Sequence, residues 1–151
     1  MRLVIQRVTR AACRVDGEVT GAIEAGLLVF IGVGREDDST DAAWLARKVA
    51  GLRVFEDEEG RMNRSLRDIG GGVLAISQFT LYGNLKKGSR PSFNRSADPE
   101  PAKALFEEFK ALLGAELGAP VASGIFAADM KIEAHNDGPI TLIIDSKARD
   151  F

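Results

Sequence analysis

The chain has 151 residues, 45% hydrophobic and 28% charged, which is the profile of one globular domain able to bury roughly two thirds of the surface its unfolded form exposes. A formal net charge of -2 excludes bulk attraction to nucleic acid, so any RNA contact has to come from a local basic patch. With Cys13 as the single cysteine, an internal disulfide is excluded and the composition argues against a Cys-based zinc site.

The opening MRLVIQRVTR places Arg2, Arg7 and Arg10 inside its only apolar stretch, leaving no uninterrupted core for a secretory signal. No apolar run reaches the roughly 18 residues needed to span a bilayer. The expectation is a protein of the reducing cytoplasm with no membrane partner.

Residues 2–15 alternate apolar and polar, Asp16-Gly17 breaks the alternation, and 18–24 resumes it, which predicts a β-hairpin. Residues 26–34, GLLVFIGVG, form a continuous apolar run short enough for a strand covered on both faces. Ser39 is the expected N-cap of an amphipathic helix over about 40–52, with Ala42, Leu45, Ala46, Val49 and Leu52 at helical spacing. EDEEGRMN reads as a turn, and the acidic cluster Glu56 to Glu59 within it as a solvated turn, since its side chains are consecutive and lack partner ligands. After Gly70-Gly71-Gly72, Val73 to Leu81 reads as a central strand.

Residues 83–98, GNLKKGSRPSFNRSAD, have almost no periodicity and hold the candidate basic patch: Lys86, Lys87, Arg90 and Arg95. A loop of that length in a small domain is usually functional. Asp98 and Pro99 mark a helix start, followed by the stripe Ala102, Leu105, Phe106, Phe109, Leu112 and Leu113. A strand over 128–134, a break at His135 to Pro139 and a buried strand over 140–145 close the chain. The expected fold is α/β, a single compact domain over 1–151 with a curved or barrel-like β-sheet and two main helices.

The common catalytic templates fail on composition. A Ser-His-Asp or Cys-His hydrolase needs a histidine base, and His135, read as a surface turn residue, is the only histidine. No HExxH, Walker A or GxGxxG motif is present, so neither a metal nor a cofactor is expected. Cys13, in an alternating strand, reads as a small buried hydrophobe.

Three segments are left that propensity does not explain. Ser77-Gln78-Phe79-Thr80 interrupts a strand that should be covered, and such polar residues either satisfy a neighbouring loop or line a pocket. Lys86 to Phe93, KKGSRPSF, joins basic residues to an aromatic, a mixture that suits phosphates and a stacked base as well as an ordinary solvated loop. Asn136-Asp137-Gly138-Pro139 joins two strands, either as a plain hairpin turn or as a Gly-Pro step in the cis form, which can aim two successive carbonyls in one direction.

Taken together, SQFTLYG at 77–83, KKGSRPSF at 86–93 and NDGPIT at 136–141, with the opening MRLVIQRVTRAACRVDGEVTGAIEAGLLVFIGV, resemble the D-aminoacyl-tRNA deacylase family over essentially the whole chain. The resemblance implies a homodimer acting on aminoacyl-tRNA. Ser77, Gln78, Phe79 and Thr80 would line the pocket for the charged 3′-terminal adenosine, Lys86, Lys87, Arg90 and Phe93 would contact the tRNA, and Gly138-Pro139 would be a cis dipeptide reaching in from the partner subunit. Asn136, Ile140 and Thr141 would brace that dipeptide; Ile140 stands where valine is common in the family.

An aminoacyl ester is already activated, and the neighbouring ribose 2′-hydroxyl lies beside its carbonyl, so no protein nucleophile is required. Backbone N–H groups near Phe79 and Thr80 are candidate donors to the developing oxyanion. Two rigid carbonyls facing the α-carbon would clash with an L side chain and leave the D direction open. Glycine, having no side chain, would escape that filter. Two other readings compete: a module that grips the tRNA 3′ end without chemistry, and an esterase using Thr80 as nucleophile.

Overall fold

In the computed structural model, which describes residues 1–150, the alternating N-terminal segment is strand β1, Arg2–Val15. It reverses at Asp16-Gly17, both at positive φ (50° and 80°), into β2, Glu18–Ile23, as an Asp-Gly turn favours. The apolar run forms β3, Gly26–Gly32, antiparallel to β1 with Leu3 opposite Ile31. Helix α1, Ser39–Ala50, is capped by Asp38 and not by the expected Ser39. The Asp38 carboxylate accepts from the Thr40 and Asp41 amides, and the Asp41 carboxylate accepts from the Asp38 N–H. That reciprocal capping box satisfies amides left open at a helix start.

The segment read as a plain turn contains a small hairpin, β4 (Phe55–Glu56) with β5 (Met62–Arg64). A third helix, α2 (Leu66–Ile69), follows, capped by Ser65 and closed by Gly70 at φ 61°. Four residues are too few to display a helical period, so the pattern that predicts two main helices passes over this one. Strand β6, Gly72–Ser77, lies parallel to β3, and β3 is flanked by β1 on its other side. That position explains the continuous apolar runs.

The expected strand to Leu81 stops at Ser77. The Gln78 N–H is taken by the Ile31 carbonyl at 2.7 Å, and Phe79–Tyr82 winds into a single 3₁₀ turn. Helix α3, Pro99–Leu117, starts where Asp98 and Pro99 predict, although the Asp98 side chain makes no capping bond. Strand β7, Ala122–Ser123, lies parallel to β6.

The final segment is one strand, β8, Lys131–Asp145, and not two strands separated at His135 to Pro139. It pairs with β1 on both sides of residues 137–140, with Gln6 opposite Thr141 and Val8 opposite Asn136. The stretch Asp137 to Ile140 therefore stands opposite Arg7 alone and bulges from the ladder, a device that re-aims backbone locally.

The hydrogen-bonded path is β2-β1-β3-β6-β7, in which β3 pairs residues 2–8 of β1 and β2 pairs residues 11–15, while β8 lies off this path and pairs with β1 between residues 2 and 14. It curls until β2 approaches β7: a Cβ on Gly21 would lie 2.5 Å from the Ser123 carbonyl oxygen. The nearly closed barrel has two cores. Leu3, Ile5, Leu27, Val29 and Ile31 pack outward against Leu45, Val49, Phe106 and Phe109 of α1 and α3. Val8, Ala11, Cys13, Leu28, Leu74 and Ile76 fill the inside of the curl. Cys13 is fully buried there, as its strand position predicts.

Candidate functional site

The two parallel strands β3 and β6 end on the same side of the sheet, where ligand crevices of α/β folds open. A cavity of about 580 Å³ lies there. Its walls come from Ser77, Gln78 and Phe79 after β6, Arg35 after β3, Asp98 to Ala102 at the start of α3, and Phe126 to Met130 before β8. Phe93 also lines it and meets Phe79 edge to face, ring centroids 5.0 Å apart. Phe79 is 56% exposed, an unusual state for so apolar a ring and one consistent with an open binding face.

Arg2 holds this corner in place. Its Nη1 donates to the Leu81 carbonyl at 2.9 Å, its guanidinium lies 5.0 Å from the Tyr82 ring centroid, and its Nε donates to Asp145 at 2.9 Å. Tyr82 is packed beneath Gly32 and Gly34. Burial, reinforced by the carboxylates of Asp37 and Asp145, pushes its phenol well above the ordinary range, so Tyr82 stays protonated and neutral. The first amides of the turn, those of Phe79 and Thr80, are groups that a helix start leaves without an internal partner. Among the described residues neither donates to a backbone carbonyl outside the turn.

Thr80 is exposed, and its hydroxyl oxygen accepts a hydrogen bond from Nε2 of the Gln78 side chain. No histidine or carboxylate hydrogen-bonds to it among the described residues, so its hydroxyl lacks the base that activates a nucleophile. His135 lies on β8, where its Nε2 accepts from Arg10 Nη2 at 3.0 Å.

The structure thus gathers Ser77, Gln78, Phe79 and Phe93 at one cavity. Lys86, Lys87 and Arg90 are exposed on the neighbouring loop and do not line it. The Asn136 to Thr141 stretch lies apart from the cavity walls. Its Gly138–Pro139 peptide is cis, both residues are exposed, and Gly138 sits at φ 119°.

The anchor of that bulge is Arg7, only 6% exposed. Its Nη1 donates to the Val54 carbonyl at 2.7 Å and its Nε to the Asp137 carbonyl at 3.2 Å, with the Asp137 carboxylate 3.3 Å away. Sequence reasoning missed Arg7, although a charged residue at an inward position of an alternating strand is the kind of signal that marks it. It also missed Arg35, Phe126, Ala127 and Met130. The signal for Ala127 is invisible in sequence, since its left-handed φ of 64° is uncommon for a residue other than glycine. No group of three or more His, Cys, Asp or Glu side chains able to hold a metal occurs among the described residues. No helix is long and apolar enough to cross a membrane.

A family model described as D-Tyr-tRNA(Tyr) deacylase matches residues 4–145. The chain is 57% identical over 146 residues to the D-aminoacyl-tRNA deacylase of Geobacter metallireducens, covering 97% of this chain and 96% of that one. It is 54% identical over 150 residues to the protein of the same name from Opitutus terrae, covering 99% and 100%. Among solved structures, one described as c-Myc DNA Unwinding Element Binding Protein superposes with a TM-score of 0.90 at 36% identity, over 96% of this chain and 98% of that one. Another, described as a probable eukaryotic D-amino acid tRNA deacylase, gives 0.83 at 16% identity over 95% and 97%, a likeness of fold alone.

Proposed function

This chain belongs to the D-Tyr-tRNA(Tyr) deacylase family, and on that premise we propose that the cavity at the end of β6 takes the 3′-terminal aminoacyl-adenosine of a D-aminoacyl-tRNA and hydrolyses its ester. The observation that carries the reading is the placement of Ser77, Gln78 and Phe79 on the wall of a cavity whose adjoining hydroxyl, Thr80, has no base beside it.

A site without an activated side chain suits a substrate that supplies its own assistance. The ribose 2′-hydroxyl lies next to the ester carbonyl and is held there covalently, so orientation alone accounts for much of the acceleration. The open amides of Phe79 and Thr80 are suitable donors to the oxyanion as it forms. Lys86, Lys87 and Arg90 would meet the phosphates outside the cavity, which accommodates a chain of net charge -2 through local and not global attraction.

Chiral selection is assigned to Gly138 and Pro139 acting across a homodimer. In support, these two residues are exposed, stand on a bulge held by Arg7, and do not contribute to the cavity of their own chain. Leu142 and Ile143, 37% and 45% exposed on the same strand, supply apolar area for a second copy. Rejection of an L side chain by the backbone of this segment leaves glycine unfiltered, so glycyl-tRNA is a substrate as well. No cofactor enters the reading, and the whole chain acts as one domain.

The test is incubation of the purified protein with matched D-tyrosyl-, L-tyrosyl- and glycyl-tRNA. Release of D-tyrosine and glycine with the L ester retained is the expected result. One observation favours a second reading, a non-catalytic grip on the nucleic-acid end: the relative at 36% identity is described as a DNA-element binding protein. Protection of all three esters would establish that alternative.

A further inference from the structure

Among the described residues Arg35 is the only basic side chain lining the cavity, and its setting is that of a fixed cation. Its backbone N–H donates to the Arg95 carbonyl at 3.2 Å and its Nε to the Ser96 carbonyl at 3.3 Å. Both bonds pin it to the segment that closes the basic loop. Among the described residues neither Nη group has a hydrogen-bond or ion-pair partner, and Asp129, an acidic residue on the same wall, is matched with Lys131 at 3.0 Å. Asp98 shares the wall with Arg35 and forms no ion pair. An exposed arginine whose backbone and Nε are tied down while its two outer nitrogens point free has little further entropy to lose on binding, and its planar fork matches two oxygens of one phosphate.

A terminal nucleoside seated in this cavity leaves by one route, its 5′-phosphodiester, which must pass the rim. We propose that Arg35 binds that phosphodiester and so sets the depth at which the terminal nucleotide enters. Arg35 is a positioning residue here: it acts on the 5′-phosphate, across the ribose from the 3′-ester, and does not touch the reacting atoms. The inference rests on the deacylase reading of the cavity. It differs from the exposed Lys86, Lys87 and Arg90, which lie outside the cavity and have no fixed register on the nucleotide.

The experiment compares two minimal esters, 3′-O-D-tyrosyl-adenosine and 3′-O-D-tyrosyl-adenosine 5′-monophosphate, in wild type, Arg35→Gln and Arg35→Lys, with D-tyrosyl-tRNA run alongside at several salt concentrations. A charge-assisted hydrogen bond lost to one phosphate corresponds to roughly 10- to 100-fold in affinity, so the wild type should prefer the phosphorylated ester by about that factor, expressed in KM and not in kcat. In Arg35→Gln the ratio should fall toward one, in Arg35→Lys to an intermediate value, and the salt dependence of kcat/KM on the tRNA should lose a slope of about 0.7 to 0.9, the contribution of one phosphate. Thermal melting of each variant separates this from a folding defect. A wild-type ratio near one, or a preference kept intact by Arg35→Gln, overturns the assignment; where only the tRNA is turned over, an unchanged salt slope in Arg35→Gln does the same. Failure of the wild type to cleave any of the three substrates defeats the deacylase reading itself, a result distinct from all of these.

Discussion

Arg7 on β1 and Asp137 on β8 are joined twice, by an Nε to carbonyl hydrogen bond of 3.2 Å and by a carboxylate 3.3 Å from the same nitrogen. The same guanidinium reaches the Val54 carbonyl. One buried side chain therefore ties the Gly138-Pro139 bulge to the segment leading into β4.

Replacing Arg7 by lysine removes the fork that serves two carbonyls at once. Charge-assisted hydrogen bonds of this kind are worth about 1.5–3 kcal/mol each, so Arg7→Lys should lower stability by roughly that amount. With the bulge loosened, discrimination between D- and L-tyrosyl-tRNA should narrow by about tenfold or more. Parallel denaturant melts and deacylation assays check it; unaltered discrimination in a destabilised variant would separate the bulge from selectivity.

At Gly138 an added Cβ would lie 3.0 Å from Ile140 Cγ1, 3.1 Å from the Ile140 nitrogen and 3.3 Å from Arg7 Nη2, at a φ of 119°. L side chains rarely adopt that φ, and the strain is of order 1–3 kcal/mol. Gly138→Ala should fold, since the bulge is exposed, but with a displaced bulge and kcat/KM reduced roughly 10- to 100-fold. Retention of full activity would show that the local backbone position is not critical.

Thr80 distinguishes two mechanisms. Loss of an obligatory nucleophile costs roughly 10⁴-fold or more, whereas the RNA-assisted reading predicts that Thr80→Val stays within about tenfold of wild type. The same reading predicts that D-tyrosyl-tRNA ending in 2′-deoxyadenosine is cleaved at least about 100-fold more slowly. The opposite pair of outcomes would place the hydroxyl of Thr80 in the covalent step.

Asp41 links α1 to the C-terminal segment through Lys147, 2.9 Å away. Burial raises its pKa, but hydrogen bonds from Lys147, the Asp38 amide and Ser146 outweigh that and hold it at about 2. A depressed carboxylate contributes stability above its unfolded pKa of 3.8, and that contribution fades as pH falls from about 4 toward 2. It amounts to about 2 kcal/mol. Asp41→Asn should therefore melt lower at pH 7 and show a flatter stability profile between pH 4 and 2; an unchanged profile would assign the acid transition to other carboxylates.

How much of this was legible in advance follows from the range of each interaction. The first hairpin, the buried strands β3 and β6 and the long helices α1 and α3 are written in periods and turn residues, because side chains a few positions apart decide which face is covered. The SQFT, KKGSRPSF and NDGP segments stand out as exceptions to those periods, which marks them as functional candidates from the sequence itself. Local pattern could not show that β8 runs through the Gly-Pro step without stopping, because its partner β1 lies more than a hundred residues away and the bulge is held by Arg7 from that strand. Nor could it place Arg35 beside Ser77 and Phe126, which come together only when parallel strands β3 and β6 end side by side. Periodicity specifies the elements; long-range strand pairing decides which exceptions meet, and one buried guanidinium holds the bulge that stays apart from them.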